Sequence, residues 1–195
     1  WSRWLGDVYK RQGVTVTDSL GCSGSINVSA VMNTLPVTNF SATSVCQGAT
    51  TAFTDGSSTT SGSITNWAWD FGDAGNSVAQ NPTHTYSTAG TYIVTLTTTT
   101  SNGCSSTITR SITVNPLPVA AFTTANGCAG SNISFTNTST VSTGFINTFA
   151  WNFGDATTSS SSNPTHTYAS AGNYVVNLQV TTAGGCSANV NGNLT

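Results

Sequence analysis

Charge is what this sequence most conspicuously lacks. Asp, Glu, Lys and Arg make up only 5% of 195 residues, with no glutamate anywhere and no lysine after Gly13, so Arg110 is the only strong cation of that long stretch. Binding to a nucleic-acid backbone needs a basic footprint that displaces counterions, and none exists here. Attraction to an anionic membrane surface is excluded on the same ground. There is also no apolar run approaching the roughly 20 residues of a membrane-spanning helix. Apolar residues nowhere sustain a helical spacing. In place of charge stand Thr, Ser, Asn and Gly, a polar and β-branched mixture that disfavours helix and favours strands.

The exception to this composition is the first dozen residues. They hold three of the four Lys/Arg residues and two of the five tryptophans. The stretch Leu5-Gly-Asp-Val-Tyr-Lys-Arg-Gln12 resembles a translated sequencing adapter. Residues 1–12 are therefore read as an artefact and set aside from fold reasoning. No signal peptide is visible, and a fragment from the middle of a protein would carry none.

What the sequence does have is an internal repeat. Trp69-Asp-Phe-Gly-Asp73 recurs as Trp151-Asn-Phe-Gly-Asp155, and Asn81-Pro-Thr-His-Thr-Tyr86 as Asn163-Pro-Thr-His-Thr-Tyr168; the register is 82 residues in both cases. The same offset relates Gly90 and Tyr92 to Gly172 and Tyr174, Cys22 to Cys104 and Cys186, Cys46 to Cys128, and Leu35-Pro36-Val37 to Leu117-Pro118-Val119. A fixed period of this length describes tandem domains rather than a single fold. The expected organisation is a tail of a preceding unit over residues 13–35, one unit over 36–116 and a second over 117–195.

Within each unit the apolar pattern alternates with period two. Trp67, Trp69 and Phe71 share one strand face, as do Phe149, Trp151 and Phe153. Tyr92, Val94 and Leu96, repeated by Tyr174, Val176 and Leu178, form another inward face; Phe53 and Phe135 mark an earlier strand. Phe-Gly-Asp, Asn-Pro, Ala-Gly and Asn-Gly-Cys segments separate the strands as turns. Many short strands with regular turns predict an all-β sandwich.

Together the motifs built on Trp69, Phe71, Gly72, Asp73, Pro82, His84, Tyr86, Gly90 and Tyr92, and their counterparts Trp151, Phe153, Gly154, Asp155, Pro164, His166, Tyr168, Gly172 and Tyr174, resemble the PKD domain. The resemblance covers both near-complete units. It implies tandem immunoglobulin-like β-sandwiches arranged as beads on a string, extracellular and without catalytic function, serving as spacers, adhesive modules or accessory domains of secreted hydrolases. Val45-Cys-Gln-Gly48 and Asn102-Gly-Cys-Ser105 resemble the variety found in surface and secreted proteins of Bacteroidetes. The leading segment ending at Cys22 is similar to the end of adhesin repeats from gliding bacteria. Two departures stand out: Asn152 replaces Asp70, and Ala74 and Ala156 follow Phe-Gly-Asp where the family has glycine.

Chemistry-bearing residues are sparse. Asp73 and Asp155 are calcium candidates, but calcium takes six to eight oxygen ligands and each unit repeats only one of these carboxylates; hydrogen bonding to turn N–H groups is the competing reading. His84 and His166 lack the companions of a metal or catalytic site. No cofactor is expected. Asp18-Ser19-Leu20 resembles a bacterial O-glycosylation acceptor.

The cysteines permit a sharper expectation. In an immunoglobulin-like sandwich, Cys46 precedes the second strand and Cys104 follows the sixth, which places them at opposite ends of one unit. A disulfide needs Cα atoms within about 7 Å. An inter-unit bridge from Cys46 to Cys186 is expected instead, with Cys22, Cys104 and Cys128 losing their partners by truncation; unpaired cysteines, or an intra-unit pair, remain open. The expected function is a spacer or adhesive stalk of an exported bacterial protein that binds a protein or carbohydrate ligand. The alternative is a set of accessory domains that bind substrate for a secreted protease or polysaccharide-degrading enzyme.

Overall fold

The computed structural model describes residues 10–195, and every regular element in it is a strand. A two-stranded hairpin comes first, from β1 (Lys10–Thr17) and β2 (Ser23–Ala30). The first unit contains β3 (Phe40–Ala42), β4 (Val45–Cys46), β5 (Thr50–Asp55), β6 (Ile64–Asp70), β7 (Asn76–Ser77), β8 (Thr83–Thr85), β9 (Gly90–Thr100) and β10 (Ser105–Asn115). The second contains β11 (Phe122–Thr124), β12 (Asn132–Asn137), β13 (Ile146–Asn152), β14 (Thr158–Ser159), β15 (Thr165–Thr167), β16 (Tyr174–Thr182) and β17 (Ser187–Leu194). Of the segment read as adapter-derived, residues 1–9 lie outside the described residues, and Lys10 to Gln12 pair in β1 with Val28 to Ala30.

Each unit packs two sheets face to face. In the first, β3-β5-β8 faces β4-β10-β9-β6-β7; in the second, β11-β12-β15 faces β14-β13-β16-β17. All pairings are antiparallel except β4 with β10. This is an immunoglobulin-like sandwich, with alternate residues of both sheets filling the space between them. β9 shows the alternation well: Val94, Leu96, Thr98 and Thr100 are buried and Ile93 is exposed.

Tryptophan lies at the centre of each core. Trp69 meets Phe40 edge-on at 5.1 Å and Phe53 at 5.5 Å; Trp151 meets Phe122 at 5.2 Å and Phe135 at 5.7 Å. Each indole N–H is still satisfied, by the carbonyls of Ala79 and Ser161, both at 2.9 Å. A large aromatic therefore fills the core with no unpaired donor.

The hairpins reproduce the sequence register. Thr17 pairs with Ser23, Thr99 with Ser105 and Thr181 with Ser187, each an 82-residue translation of the one before. The apolar residues Val14, Val16 and Ile26 of the leading hairpin occupy the positions of Leu96, Thr98 and Ile108, yet they are 53–68% exposed.

Candidate functional site

Two constructions repeat along the chain: a turn held by aspartate and histidine, and a joint between successive units. The turn follows β6 and, in the second unit, β13. The chain must reverse tightly there, and Gly72 (φ 80°) and Gly154 (φ 82°) supply the left-handed backbone. No other residue fits, because a Cβ on Gly72 would stand 2.6 Å from the Ile93 carbonyl oxygen and one on Gly154 2.7 Å from that of Val175. Two residues later Ala74 and Ala156 also have positive φ, 72° and 70°, a conformation that carries strain for alanine.

Side chains then lock the turn. The Gly72 N–H donates to Asp70 Oδ1 and the Gly154 N–H to Asn152 Oδ1, both at 2.9 Å. The departure at Asn152 is thereby explained, since the position needs an acceptor oxygen and an amide provides one as well as a carboxylate. Asp73 Oδ1 accepts the Gly75 N–H at 3.0 Å, while its Oδ2 meets His84 Nε2 at 2.8 Å. An ionised carboxylate only accepts, so Nε2 carries the proton. Asp155 is bonded in the same way to the Thr157 N–H and to His166 Nε2, the latter at 2.7 Å. Burial pushes both carboxyls up, but the hydrogen bonds from His84 and Gly75, and from Thr157 and His166, outweigh it and hold both below the usual carboxylate range.

The imidazoles are clamped on their faces too. His84 stacks on Phe71 at 4.3 Å and meets the edge of Tyr86 at 4.6 Å; Tyr86 in turn stacks on Tyr92 at 4.2 Å. His166 stacks on Phe153 at 4.3 Å and meets Tyr168 at 4.5 Å, with Tyr174 beyond at 4.0 Å. The buried hydroxyls of Tyr86 and Tyr168 donate to the carbonyls of Phe71 and Phe153 at 3.1 and 2.9 Å. Burial, the nearby aspartate and the neighbouring tyrosine push these phenols up to about 12. Pro82 and Pro164 offer their carbonyls to Phe53 and Phe135. Gly90 and Gly172 lie against the rings of Tyr92 and Tyr174.

This geometry is suited to holding a turn rather than to chemistry. Thr157 Oγ1 approaches His166 Nε2 at 3.3 Å, but Asp155 meets the same nitrogen. A relay needs the nucleophile and the orienting carboxylate on opposite ring nitrogens. Both oxygens of each calcium candidate are already engaged by the histidine and the turn. Among the described residues no three His, Cys, Asp or Glu side chains converge as a metal site would need, and no helix is long and apolar enough to cross a membrane.

The joint is the second construction. Cys46, in β4, and Cys186, in the turn between β16 and β17, form a disulfide with Cα atoms 5.6 Å apart and a sequence separation of 140. The intra-unit alternative is ruled out by the length of β10. Cys46 pairs with its last residue, Asn115, whereas Cys104 precedes its first residue, Ser105. Eleven residues of strand run to about 36 Å. Around the bridge, the Gln47 N–H donates to the Asn115 carbonyl at 2.8 Å and Asn115 Nδ2 reaches the Gly184 carbonyl at 3.4 Å. A side chain at Gly184 would collide with Asn115, 2.6 Å from its Cγ. Cys186 is fully buried.

The contact between Asn115 and Gly184 escaped sequence reasoning, although one signal was available: Asn33 stands 82 residues before Asn115. Asn33 Oδ1 accepts from Ser61 Oγ at 2.9 Å and from Asn102 Nδ2 at 3.2 Å, so the leading segment meets the first unit where Asn115 meets the second.

Several known proteins match about one unit's length of this chain or less. A microbial collagenase of Vibrio alginolyticus is 38% identical over 81 residues, 40% of this chain and 10% of that protein. Collagenase ColA of Bacillus cereus is 43% identical over 56 residues, 28% of this chain and 6% of that protein. The chain thus spans a tenth or less of these relatives. Among solved structures, the PKD1 domain of Vibrio anguillarum Epp is 34% identical and covers 43% of this chain and 96% of its own, with a TM-score of 0.40. The PKD1 domain of the Vibrio cholerae metalloprotease PrtV is 36% identical, with coverages of 42% and 98% and a TM-score of 0.39. Residues 33–115 and 114–194 each match the PKD domain, and the chain belongs to that family as two domains in tandem.

Proposed function

We propose that this chain is a section of an exported, non-catalytic stalk, in which PKD modules set the distance and direction between a surface and whatever the parent protein presents. The observation that carries this reading is the Cys46–Cys186 bridge. A covalent bond between neighbouring modules contributes nothing to a freely jointed string, and is useful where their relative orientation must be held. Pro116 and Pro118 support the same reading, because proline removes donors and fixes φ in the segment that joins the units. Disulfides belong to oxidising compartments, which fits export. In this reading the β1–β2 hairpin is the last hairpin of a preceding unit, residues 13–35 its tail, and residues 36–116 and 117–195 the two further units. Gln12 takes the place of the fully buried Val94, which supports a break in the protein's own sequence before Gly13.

Small-angle X-ray scattering tests the proposal. The oxidised chain should give one narrow distribution of distances, and Cys186→Ser a broader one from freely hinging units. Identical distributions would sink it.

A second reading follows from the collagenase relatives: the modules serve as accessories that hold a secreted enzyme on insoluble substrate. Co-sedimentation with collagen fibrils, chitin and cellulose separates the two. Saturable binding to one of these favours the accessory role.

A further inference from the structure

Both halves of the joint occur more often than the joint itself. The hairpin half is a cysteine at one fixed turn position: Cys22, Cys104 and Cys186 are related by successive translations of 82 residues. A side-chain oxygen four residues earlier holds the main chain of all three. The N–H of Cys104 donates to Thr100 Oγ1 and that of Cys186 to Thr182 Oγ1, both at 3.2 Å. The N–H of Cys22 donates to Asp18 Oδ1, at the equivalent position, at 2.9 Å. The other half is also duplicated. The carbonyls of Cys46 and Cys128 accept from Ala49 and Ser131 at 2.9 and 3.0 Å, and the N–H groups of Gly48 and Gly130 donate to Tyr86 and Tyr168 at 2.9 and 2.8 Å. Of these five cysteines only Cys46 and Cys186 are bonded; Cys22, Cys104 and Cys128 are thiols.

The two halves of one unit lie at opposite ends of its last strand, so each faces a different neighbour. We infer that Cys104 and Cys128 are attachment points for further copies of this module. Cys104 bonds the cysteine that occupies the position of Cys46 in a preceding copy, and Cys128 bonds the one that occupies the position of Cys186 in a following copy. The segment that follows the leading hairpin meets the first unit through Asn33 and Asn102, which is where such a preceding copy would sit. Closing each bridge removes two protons and two electrons from two thiols and passes them to a disulfide oxidant, which leaves as two thiols. The inference rests on the stalk reading for its biological use, but not for its chemistry.

Two extended chains test it. In one, a copy of residues 114–195 follows Thr195, which continues the 82-residue register. In the other, a copy of residues 34–94 replaces residues 1–12, so that the leading hairpin completes a unit. Each is refolded in a glutathione redox buffer, alkylated without reduction, digested and mapped by mass spectrometry. In the unextended chain Cys22, Cys104 and Cys128 take up the alkylating label. In the first extended chain Cys128 labelling should fall about tenfold, since a bonded sulfur is no longer a thiolate nucleophile, and a peptide should join Cys128 to the appended copy of Cys186. In the second, Cys104 should be lost to the label and joined to the copy of Cys46. The Cys46–Cys186 peptide in the same digest reports that the existing joint has formed, and serine at the appended cysteine should restore labelling. Cys128 or Cys104 that stays labelled beside an intact Cys46–Cys186 peptide, or that pairs with the other, overturns the inference. Loss of the Cys46–Cys186 peptide in both extended chains overturns it as well, because a joint that forms only at the end of a chain is not a repeating device. Bridges that form while Cys186→Ser leaves the scattering unchanged would sink the stalk reading and spare this one.

Discussion

The two units share one register and one turn, yet their interiors solve the same packing problem with different chemistry. In the first unit Thr38 and Thr98 bond to each other across the core at 2.6 Å; the second has Ala120 and Val180 at those positions. Thr51 is fully buried with an unpartnered hydroxyl, where the second unit has Ile133. Asp55 receives the indole N–H of Trp67 at 2.8 Å, and both change together in the second unit, to Asn137 and Phe149. Arg110 lies over the Phe40 ring at 5.7 Å, where the second unit has Gly192 against Phe122. Where two side chains bond each other, as Thr38 with Thr98 and Asp55 with Trp67, both members change together, whereas Thr51 changes alone and Arg110 changes over a ring that stays phenylalanine. A buried polar group left alone is what costs stability.

Four measurements test this comparison, each with hydrogen exchange resolved to the separate units. The largest effect concerns what the units share. Gly72→Ala and Gly154→Ala should each cost about 2–4 kcal/mol in their own unit, from the carbonyl clash and the positive φ; a unit that tolerates the change breaks the equivalence of the turns. Next, Thr38→Ala orphans the Thr98 hydroxyl and should cost about 2 kcal/mol. Adding Thr98→Val should return most of that loss, since the pair then matches the second unit. Thr51→Val removes the unpartnered hydroxyl and should raise the first unit's stability by about 1 kcal/mol. No gain would mean that the hydroxyl finds a partner in solution.

The smallest effect concerns acid. Burial pushes the Asp55 carboxyl up, but bonds from Ser57, Trp67 and Gln80 hold it below its ordinary value. A carboxyl depressed on folding contributes stability above its unfolded pKa of about 3.9 and loses it as pH falls through the folded value. Asp73 and Asp155 act alike in the two units, whereas Asn137 takes the place of Asp55 in the second. Below about pH 4 the first unit should weaken before the second, and Asp55→Asn should narrow the gap.

Much of this was legible in the sequence. The period fixed the domain count, and the alternation through Trp69, Phe71 and Leu96 identified the inward faces, because strand geometry leaves side chains only two directions. The Cys46–Cys186 pairing was one expectation among three, reached by placing both cysteines on the strand directions of an immunoglobulin-like sandwich, and the structure contains it. The joint's contact between Asn115 and Gly184 was not legible, because a contact between an amide and a backbone carbonyl has no compositional signature. Thr51 and Thr98 read as ordinary strand threonines, since hydroxyl satisfaction depends on neighbours distant in sequence. Asp73 and His84 were visible as a repeated pair of positions, but the shared nitrogen contact that makes them a clamp needed coordinates.

The spacing of the cysteines has a mechanical consequence. Cys104 and Cys128 are 24 residues apart. Where every joint is cross-linked as this one is, tension arriving at Cys104 crosses only those residues before it leaves through the next bridge at Cys128, having advanced by two repeats. Pulled fully straight, that segment spans at most about 80 Å. Two folded strands the length of β10, laid end to end, already run to about 70 Å. Such a tether could lose every core it has and still hardly lengthen, because its breaking strength would reside in sulfur–sulfur bonds and not in its sheets.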